Sequence, residues 1–339
     1  MNPALPNKNK LNEIRKSGVK VSPLFWPVSL KSNTILCLDE TALPQELIYL
    51  KARNLNQAIN LIKSMKTRAF GQVLMAYHIF LLLLKKSKDL KPERQIKVLK
   101  KAALEINRSR PTFPFSFFTE MVLVWAGEAK KKGKDIPAFT ENRIKTFLSY
   151  LKEKRIAQAR ALSRLIKDRD SILTHCNVSG SLVLAAQFCR KTKKKIRFFV
   201  TETRPYLQGS RLTAWELQRA RFKVTIIPDS SVAYVMSKGL VGLVVVGADQ
   251  KAQNGDIANK IGTYQIALLA RYFNLPFYVL SPPPSGAKTG KDIKIEVRAG
   301  EELLEFWGKR IAPKGAKGFY PAFDITPHKL ISKHITLGL

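Results

Sequence analysis

Two side chains far apart in the chain have the neighbours that acid–base or nucleophilic chemistry asks for. Cys176 follows an apolar stretch at 171–175 and precedes the small residues Val178-Ser179-Gly180, which open a helical pattern. A thiol there faces free backbone N–H groups and the positive end of a helix dipole, and both favour the thiolate, a base or a nucleophile. Inert packing is the alternative for any lone cysteine, and it is the reading given to Cys189, on an apolar helix face. Asp249 ends the run Leu243-Val244-Val245-Val246-Gly247-Ala248. Such a run would carry a carboxyl to a sheet edge, partly desolvated and able to serve as acid or base; capping the next turn is its structural alternative. Between Asn254 and Gly262 the glycines admit close backbone approach, while Asn259 and Lys260 offer donors suited to phosphate or sugar hydroxyls. A plain loop with a solvated lysine would have the same composition.

These groups need a scaffold. Beyond Asp170, strand patterns at 171–175, 197–201, 224–228, 240–246 and 277–280 alternate with helical ones at 181–190, 214–220, 231–238 and 263–273. That alternation predicts an α/β domain with a Rossmann-like parallel sheet over 169–339. Ligands of such sheets bind beyond the carboxyl ends of the strands. His175-Cys176-Asn177, Glu202-Thr203-Arg204, Asp229-Ser230, Gly247-Ala248-Asp249 and Ser281-Pro282 would converge there. No G-x-G-x-x-G and no P-loop is present, so neither a dinucleotide nor a nucleoside triphosphate is indicated.

Ahead of this domain, the pattern predicts a flexible basic tail over 1–19 and a mainly helical N-terminal domain over 20–138. A connecting helix follows over 139–168, with Ile144, Phe147, Leu151, Ile156 and Ala159 as its apolar stripe. Within the helical domain, residues 34–38 read as a strand. Helical patterning covers 55–84, interrupted at Gly71, then 91–107 and 117–129. The longest apolar run, 73–84, contains His78 and is shorter than the ~20 residues of a membrane span, so it reads as a buried helix.

Lys and Arg total 59 against 25 acidic residues, a formal net charge of +34. Such a surface attracts polyanions. The basic residues are spread along the chain without an aromatic–basic repeat, which favours a solvated surface over dedicated nucleic-acid binding. Three irregularly spaced cysteines favour a reduced intracellular setting over a disulfide framework, and no C-x-x-C pair or His/Cys cluster suggests zinc. The first residues lack a signal-peptide core, leaving the cytoplasm as the expectation.

Several consecutive motifs carry a family resemblance. They are Thr174-His175-Cys176-Asn177, Glu202-Thr203-Arg204-Pro205-Tyr206-Leu207-Gln208-Gly209, Arg211-Leu212-Thr213-Ala214-Trp215-Glu216-Leu217 and Gly247-Ala248-Asp249. Residues 254–263 and Pro321-Ala322-Phe323-Asp324-Ile325-Thr326-Pro327 complete the set. Together, from about Leu38 to the C-terminus, they resemble the methylthioribose-1-phosphate isomerases. The wider superfamily also holds ribose-1,5-bisphosphate isomerases and the regulatory subunits of translation initiation factor 2B. The resemblance implies an aldose–ketose isomerase acting on a small phosphorylated sugar, 5-methylthioribose 1-phosphate, in methionine salvage. It implies a homodimer, no membrane association, and no metal or organic cofactor. Cys176 and Asp249 become the implied catalytic pair. Gln208, Asn259, Lys260, Arg68 with its neighbours Ala69 and Phe70, and Arg110 match substrate-binding positions. The rival readings are a ribose-1,5-bisphosphate isomerase and a non-catalytic initiation-factor-like protein, although initiation-factor subunits are not expected to keep the Cys and Asp together. Two departures stand out: Arg68-Ala69-Phe70-Gly71 replaces the family's Arg-Gly-Ala-Pro, and residues 281–288 form a shorter, more proline-rich segment than usual.

Overall fold

The computed structural model describes residues 21–338, so the tail expected over 1–19 lies outside the described residues. The chain divides into two compact units, one ending at Glu153 and the other beginning at Lys154.

The first unit opens with an antiparallel sheet of β1 (Val28–Lys31), β2 (Thr34–Leu38) and β3 (Tyr49–Ala52), of which only the second was expected. Four helices follow: α1 (Leu55–Lys63), α2 (Ala69–Lys86), α3 (Pro92–Ser109) and α4 (Phe115–Lys131). The expected helical stretch over 55–84 does break, but at residues 64–68 and not at Gly71, which lies inside α2. The reason is packing: a Cβ on Gly71 would sit 1.8 Å from Thr67 Oγ1, so glycine lets the first turn of α2 close onto the segment before it. Residues 71–82 are all buried. By length and composition α2 could cross a membrane; here it is the centre of its unit, with α1, α3, α4 and β1 packed around it. Helix α5 (Ile136–Leu165) begins three residues earlier than expected and contributes to both units, burying Ile144, Phe147, Leu151, Ile156 and Ala159.

The second unit is built on six parallel strands, β4 (Ser171–Thr174), β5 (Arg197–Thr201), β6 (Lys223–Ile227), β7 (Leu243–Gly247), β10 (Phe277–Ser281) and β12 (Lys333–Thr336), in the spatial order β12-β10-β7-β4-β5-β6. Helices α6 (Ser181–Lys191), α7 (Ala214–Arg219), α8 (Val232–Ser237) and α9 (Thr263–Tyr272) connect them. All four residues of β4 are buried, as both faces of a parallel sheet covered by helices require. One core cluster joins Leu173, Val244, Val246 and Val279 of the sheet to Val232, Val235, Ile266 and Ala270 of α8 and α9. The chain winds from β4 outward through β5 to β6, then returns to place β7 on the other side of β4. The strand order therefore reverses between β4 and β7, where sheets of this kind open a crevice at their carboxyl ends.

A smaller antiparallel sheet of β8 (Gln250–Lys251), β9 (Ile257–Lys260) and β11 (Phe323–Thr326) stands beside that edge. Residues 254–262 were read as a glycine-flanked segment; their centre is β9, with all four residues buried. Two polar residues in four hide the strand in the sequence. Its hydrogen-bonding partners come from far along the chain, with Asn259 opposite Asp324 and Lys260 opposite Phe323.

Candidate active site

Cys176 and Asp249 leave the sheet on either side of the β4/β7 reversal. The two strands run parallel, with Leu173 aligned to Val244. The loop after β4 lies close against the end of β7: a Cβ on Gly247 would approach Val178 Cγ1 to 3.3 Å. Neighbouring strands lie ~4.8 Å apart, so the fold brings these two backbone segments to adjacent places on one rim.

The loop that carries Cys176 is held in an uncommon conformation. Cys176 has φ +61°, Ser179 +46°, Thr203 +64° and Leu207 +60°. Left-handed backbone at non-glycine residues costs about 1–3 kcal/mol each and persists only where the surroundings enforce it, typically at functional sites. Here the enforcement is explicit. The Cys176 N–H donates to Thr203 Oγ1 at 3.0 Å, and the Thr213 hydroxyl donates to the Cys176 carbonyl at 2.6 Å. Asp229 accepts the N–H groups of Thr203 and Arg204 at 2.8 and 2.7 Å, fixing the second loop. Asn177 donates to Thr213 Oγ1 and to the buried Glu216. Behind them the guanidinium of Arg155 donates to the Ser179 carbonyl and Ser181 Oγ. Burial lowers the pKa of Arg155 to about 9, against the opposing attraction of Glu216. None of the three cysteines is in a disulfide. Cys37 and Cys189 have no exposed surface and burial pushes both thiols up, Cys189 to about 11, as suits inert packing; Cys176 keeps 8% exposure.

Asp249 differs from expectation. Its N–H is tied to the Ala258 carbonyl at 2.9 Å, but the residue is exposed, not partly desolvated. The turn that follows β7 ends the strand at Gly247 and swings Asp249 clear of the sheet core.

Gln208, Asn259 and Lys260 are all buried, at 4%, 5% and 7% exposure. Gln208 introduces a π-helical turn, Gly209–Thr213, and its side-chain carbonyl oxygen is buried with no hydrogen-bond partner among the described residues. Gly209 is obligatory here, since a Cβ would lie 1.7 Å from the Thr201 carbonyl. The Asn259 amide donates to Thr263 Oγ1 at 2.9 Å. The Lys260 ammonium lies 4.6 Å from the ring centre of Phe323 and 5.9 Å from that of Tyr320, so this is not the solvated lysine of a plain loop. Burial raises the pKa of Asp324, opposite Asn259, to about 6, although it accepts the N–H groups of Gly262 and Tyr264 at the start of α9.

In the first unit, Arg68 and Arg110 both reach the first turn of α2. Arg68 stands at its N-cap, where no side chain caps the helix, and its guanidinium pairs with buried Glu40 at 3.1 Å. Arg110 donates to Gln72 at 3.1 Å and lies over the Phe113 ring. The Glu40 carboxylate also accepts the Arg68 N–H at 3.2 Å and the Thr67 hydroxyl at 2.6 Å, so it is the anion held at this helix start. Ala69 has φ +32°, and Phe70 packs edge-on against Trp26 with ring centres 5.5 Å apart, which gives this departure from the family pattern a packing partner. Among the described residues no group of three or more His, Cys, Asp or Glu is placed to hold a metal ion.

Comparison with known proteins gives this geometry a context. The model of the initiation factor 2 subunit family matches residues 66–338. The chain belongs to this family. Within it, the chain is 36% identical to a methylthioribose-1-phosphate isomerase from Fervidobacterium nodosum, covering 90% of this chain and 91% of the relative. It is 35% identical to a 5-deoxyribose 1-phosphate isomerase from Bacillus cereus, over 91% and 93%. Among solved structures, 5-methylthioribose 1-phosphate isomerase from Pyrococcus horikoshii superposes with a TM-score of 0.82 at 30% identity, covering 94% of both chains. The delta subunit of translation initiation factor eIF-2B from A. fulgidus gives 0.77 at 31%, over 92% and 94%. The initiation factor 2 subunit family thus includes similar chains with both kinds of name.

The sequence places His175 and Thr203 on the rim and Thr213 in a family motif without giving any of them a task, and it leaves Thr201 unmarked. His175 and Thr203 were visible as polar residues at strand ends, which was the available signal. Thr201 carried none, because a buried threonine inside an apolar strand is ordinary.

Proposed function

We propose that this chain is an aldose–ketose isomerase converting 5-methylthioribose 1-phosphate to 5-methylthioribulose 1-phosphate, a step of methionine salvage. The observation that carries the reading is the Cys176 turn, strained and firmly braced, on the strand next to the one that delivers Asp249.

The reaction is internally balanced. A proton reaches the ring oxygen as the bond from C1 to that oxygen breaks, one proton leaves the C2 hydroxyl, and one hydrogen moves from C2 to C1. Asp249, exposed and able to exchange protons with solvent, serves the oxygens. Cys176 lies beside the carbon-to-carbon transfer, as base or as stabiliser of the charge that develops there. The buried Gln208 carbonyl accepts from a sugar hydroxyl, and Asn259 and Lys260 supply donors to the sugar phosphate. Arg68 and Arg110 are assigned to substrate binding by the family resemblance alone. A homodimeric, cytoplasmic enzyme is part of the same reading.

A second substrate, 5-deoxyribose 1-phosphate, is favoured by the similarity to the Bacillus cereus protein of that name. Turnover of both sugars and of ribose 1,5-bisphosphate by the purified chain tests the assignment. Either 5-substituted sugar should isomerise faster than the bisphosphate, and Cys176→Ser or Asp249→Asn should each lower kcat by about 100-fold or more. Absence of turnover on all three, or full activity in both variants, sinks the proposal.

A further inference from the structure

Beneath the Cys176 turn runs a set of hydrogen bonds of which the isomerase reading uses only the first, from the Cys176 N–H to Thr203. The His175 ring is buried between two segments. Its Nε2 lies 2.9 Å from the Ile261 carbonyl, and its Nδ1 lies 2.6 Å from Thr201 Oγ1. A carbonyl only accepts, so Nε2 carries the proton. Burial, reinforced by Lys260 and opposed by Asp229 and the Ile261 carbonyl, holds the ring below its ordinary pKa, and the neutral form follows. Nδ1 then has a lone pair and must accept from the Thr201 hydroxyl. With that proton committed, Thr203 is the donor in the 3.3 Å contact between the Thr201 and Thr203 hydroxyls, and it shares its proton with the Thr201 carbonyl at 3.2 Å. Thr203 Oγ1 in turn accepts the Cys176 N–H. The bonds join the Cys176 amide to Thr203, Thr203 to Thr201 through its hydroxyl and its carbonyl, and the Thr201 hydroxyl to the imidazole and so to the Ile261 carbonyl.

The far end of this chain is the turn that follows Lys260. Gly262 there has φ +100°, and a Cβ on it would meet the His175 ring at 3.4 Å, so the imidazole lies flush against that turn. One ring therefore braces both the backbone of the candidate catalytic cysteine and the end of the β9 segment that carries Asn259 and Lys260.

We propose that His175 is a positioning residue, a neutral strut that holds the Cys176 turn in register with the Asn259–Lys260 segment and takes no part in proton transfer to the sugar. The proposal rests on the isomerase reading for its kinetic consequence, while its structural consequence can be read without substrate.

The decisive variants are His175→Phe, which keeps the ring and removes both hydrogen bonds, and His175→Gln, whose amide can restore one. Alkylation of Cys176 by iodoacetamide, followed by mass spectrometry with buried Cys37 and Cys189 as internal references, reports the turn directly. His175→Phe should change the Cys176 alkylation rate at least fivefold while Cys37 and Cys189 stay protected, and should lower kcat by about 100-fold, the scale of a 1 Å misplacement. KM should move less than threefold, and His175→Gln should recover a large part of both losses. A folded His175→Phe protein with wild-type alkylation and wild-type kcat overturns the strut, as does failure of His175→Gln to recover anything. Should His175→Phe not fold, Thr201→Val removes the hydroxyl that donates to Nδ1 and accepts from Thr203, and wild-type alkylation in that variant overturns the strut equally. If the unmutated chain turns over none of the sugars, the isomerase reading fails by itself and the alkylation rates still decide the role of His175.

Discussion

Gln208 shows how a single buried group argues for a ligand. Its side-chain oxygen is enclosed without a donor among the described residues, in a side chain only 4% exposed. An acceptor left that way costs the fold about 1–3 kcal/mol, a penalty that a donor such as a substrate hydroxyl or a water relieves. Gln208→Leu, close in volume and without the polar atoms, should therefore leave stability unchanged or higher. It should lower kcat/KM by about 3- to 15-fold, the equivalent of one neutral hydrogen bond. Thermal melting beside steady-state kinetics checks both directions at once; a loss of stability with unchanged kinetics would make Gln208 a structural residue. The candidate pair sits at the same scale. Cys176 became a candidate through the family resemblance, since a lone cysteine before small helix-opening residues reads as inert packing at least as readily. The exposure of Asp249 was not, because a run of valines reports where a strand goes and nothing of the turn that ends it.

At the scale of elements, Asp256 ties together three segments that share no pairing in the sequence. Its two oxygens accept the Gly290 N–H at 3.0 Å, the His328 N–H at 2.9 Å, the Asn254 amide at 2.8 Å and His328 Nδ1 at 3.0 Å. Burial opposes its charge, but these donors outweigh burial and hold its pKa down to about 2 from the ordinary 3.8. A carboxyl depressed in the folded state contributes stability that is fully present above 3.8 and lost as pH falls through about 2. Asp256→Asn should lower unfolding free energy at pH 7 by about 2 kcal/mol, with the gap closing toward pH 2. Urea titrations at the two pH values test this, and a gap independent of pH would remove the charge from the explanation. Gly290 belongs to the same junction, since a Cβ there would lie 2.4 Å from Ile325 Cγ2. The main strands and helices of the second unit could be read from periodicity because each satisfies its own pattern. Strands β9 and β11 exist because each completes the other.

For the whole molecule, the dominant physical fact is the net charge of +34. Most of it has no local partner in acidic residues, which number 25 against 59 basic ones, so the chain carries a field that draws anions from a distance. A sugar phosphate approaching such a chain should associate faster at low salt. We expect kcat/KM to fall by about 3- to 10-fold between ~20 mM and ~300 mM sodium chloride while kcat holds, as the Debye length contracts. Constant kcat/KM across that range would mean that the basic surface is too evenly distributed to steer substrate.

From the residues alone came the alternation of strand and helix, the rim on which polar residues gather, and the cysteine and aspartate set there. Each depends on periods of two or 3.6 residues, or on side-chain types at strand ends, and both are local properties of the chain. Only the tertiary structure decided that Lys260 is buried among aromatic rings, that Asp249 faces solvent, and that His175 joins the Cys176 turn to the end of β9. Those are contacts between residues distant in sequence, and a local pattern contains no information about which distant partner will satisfy a polar group once water has been excluded.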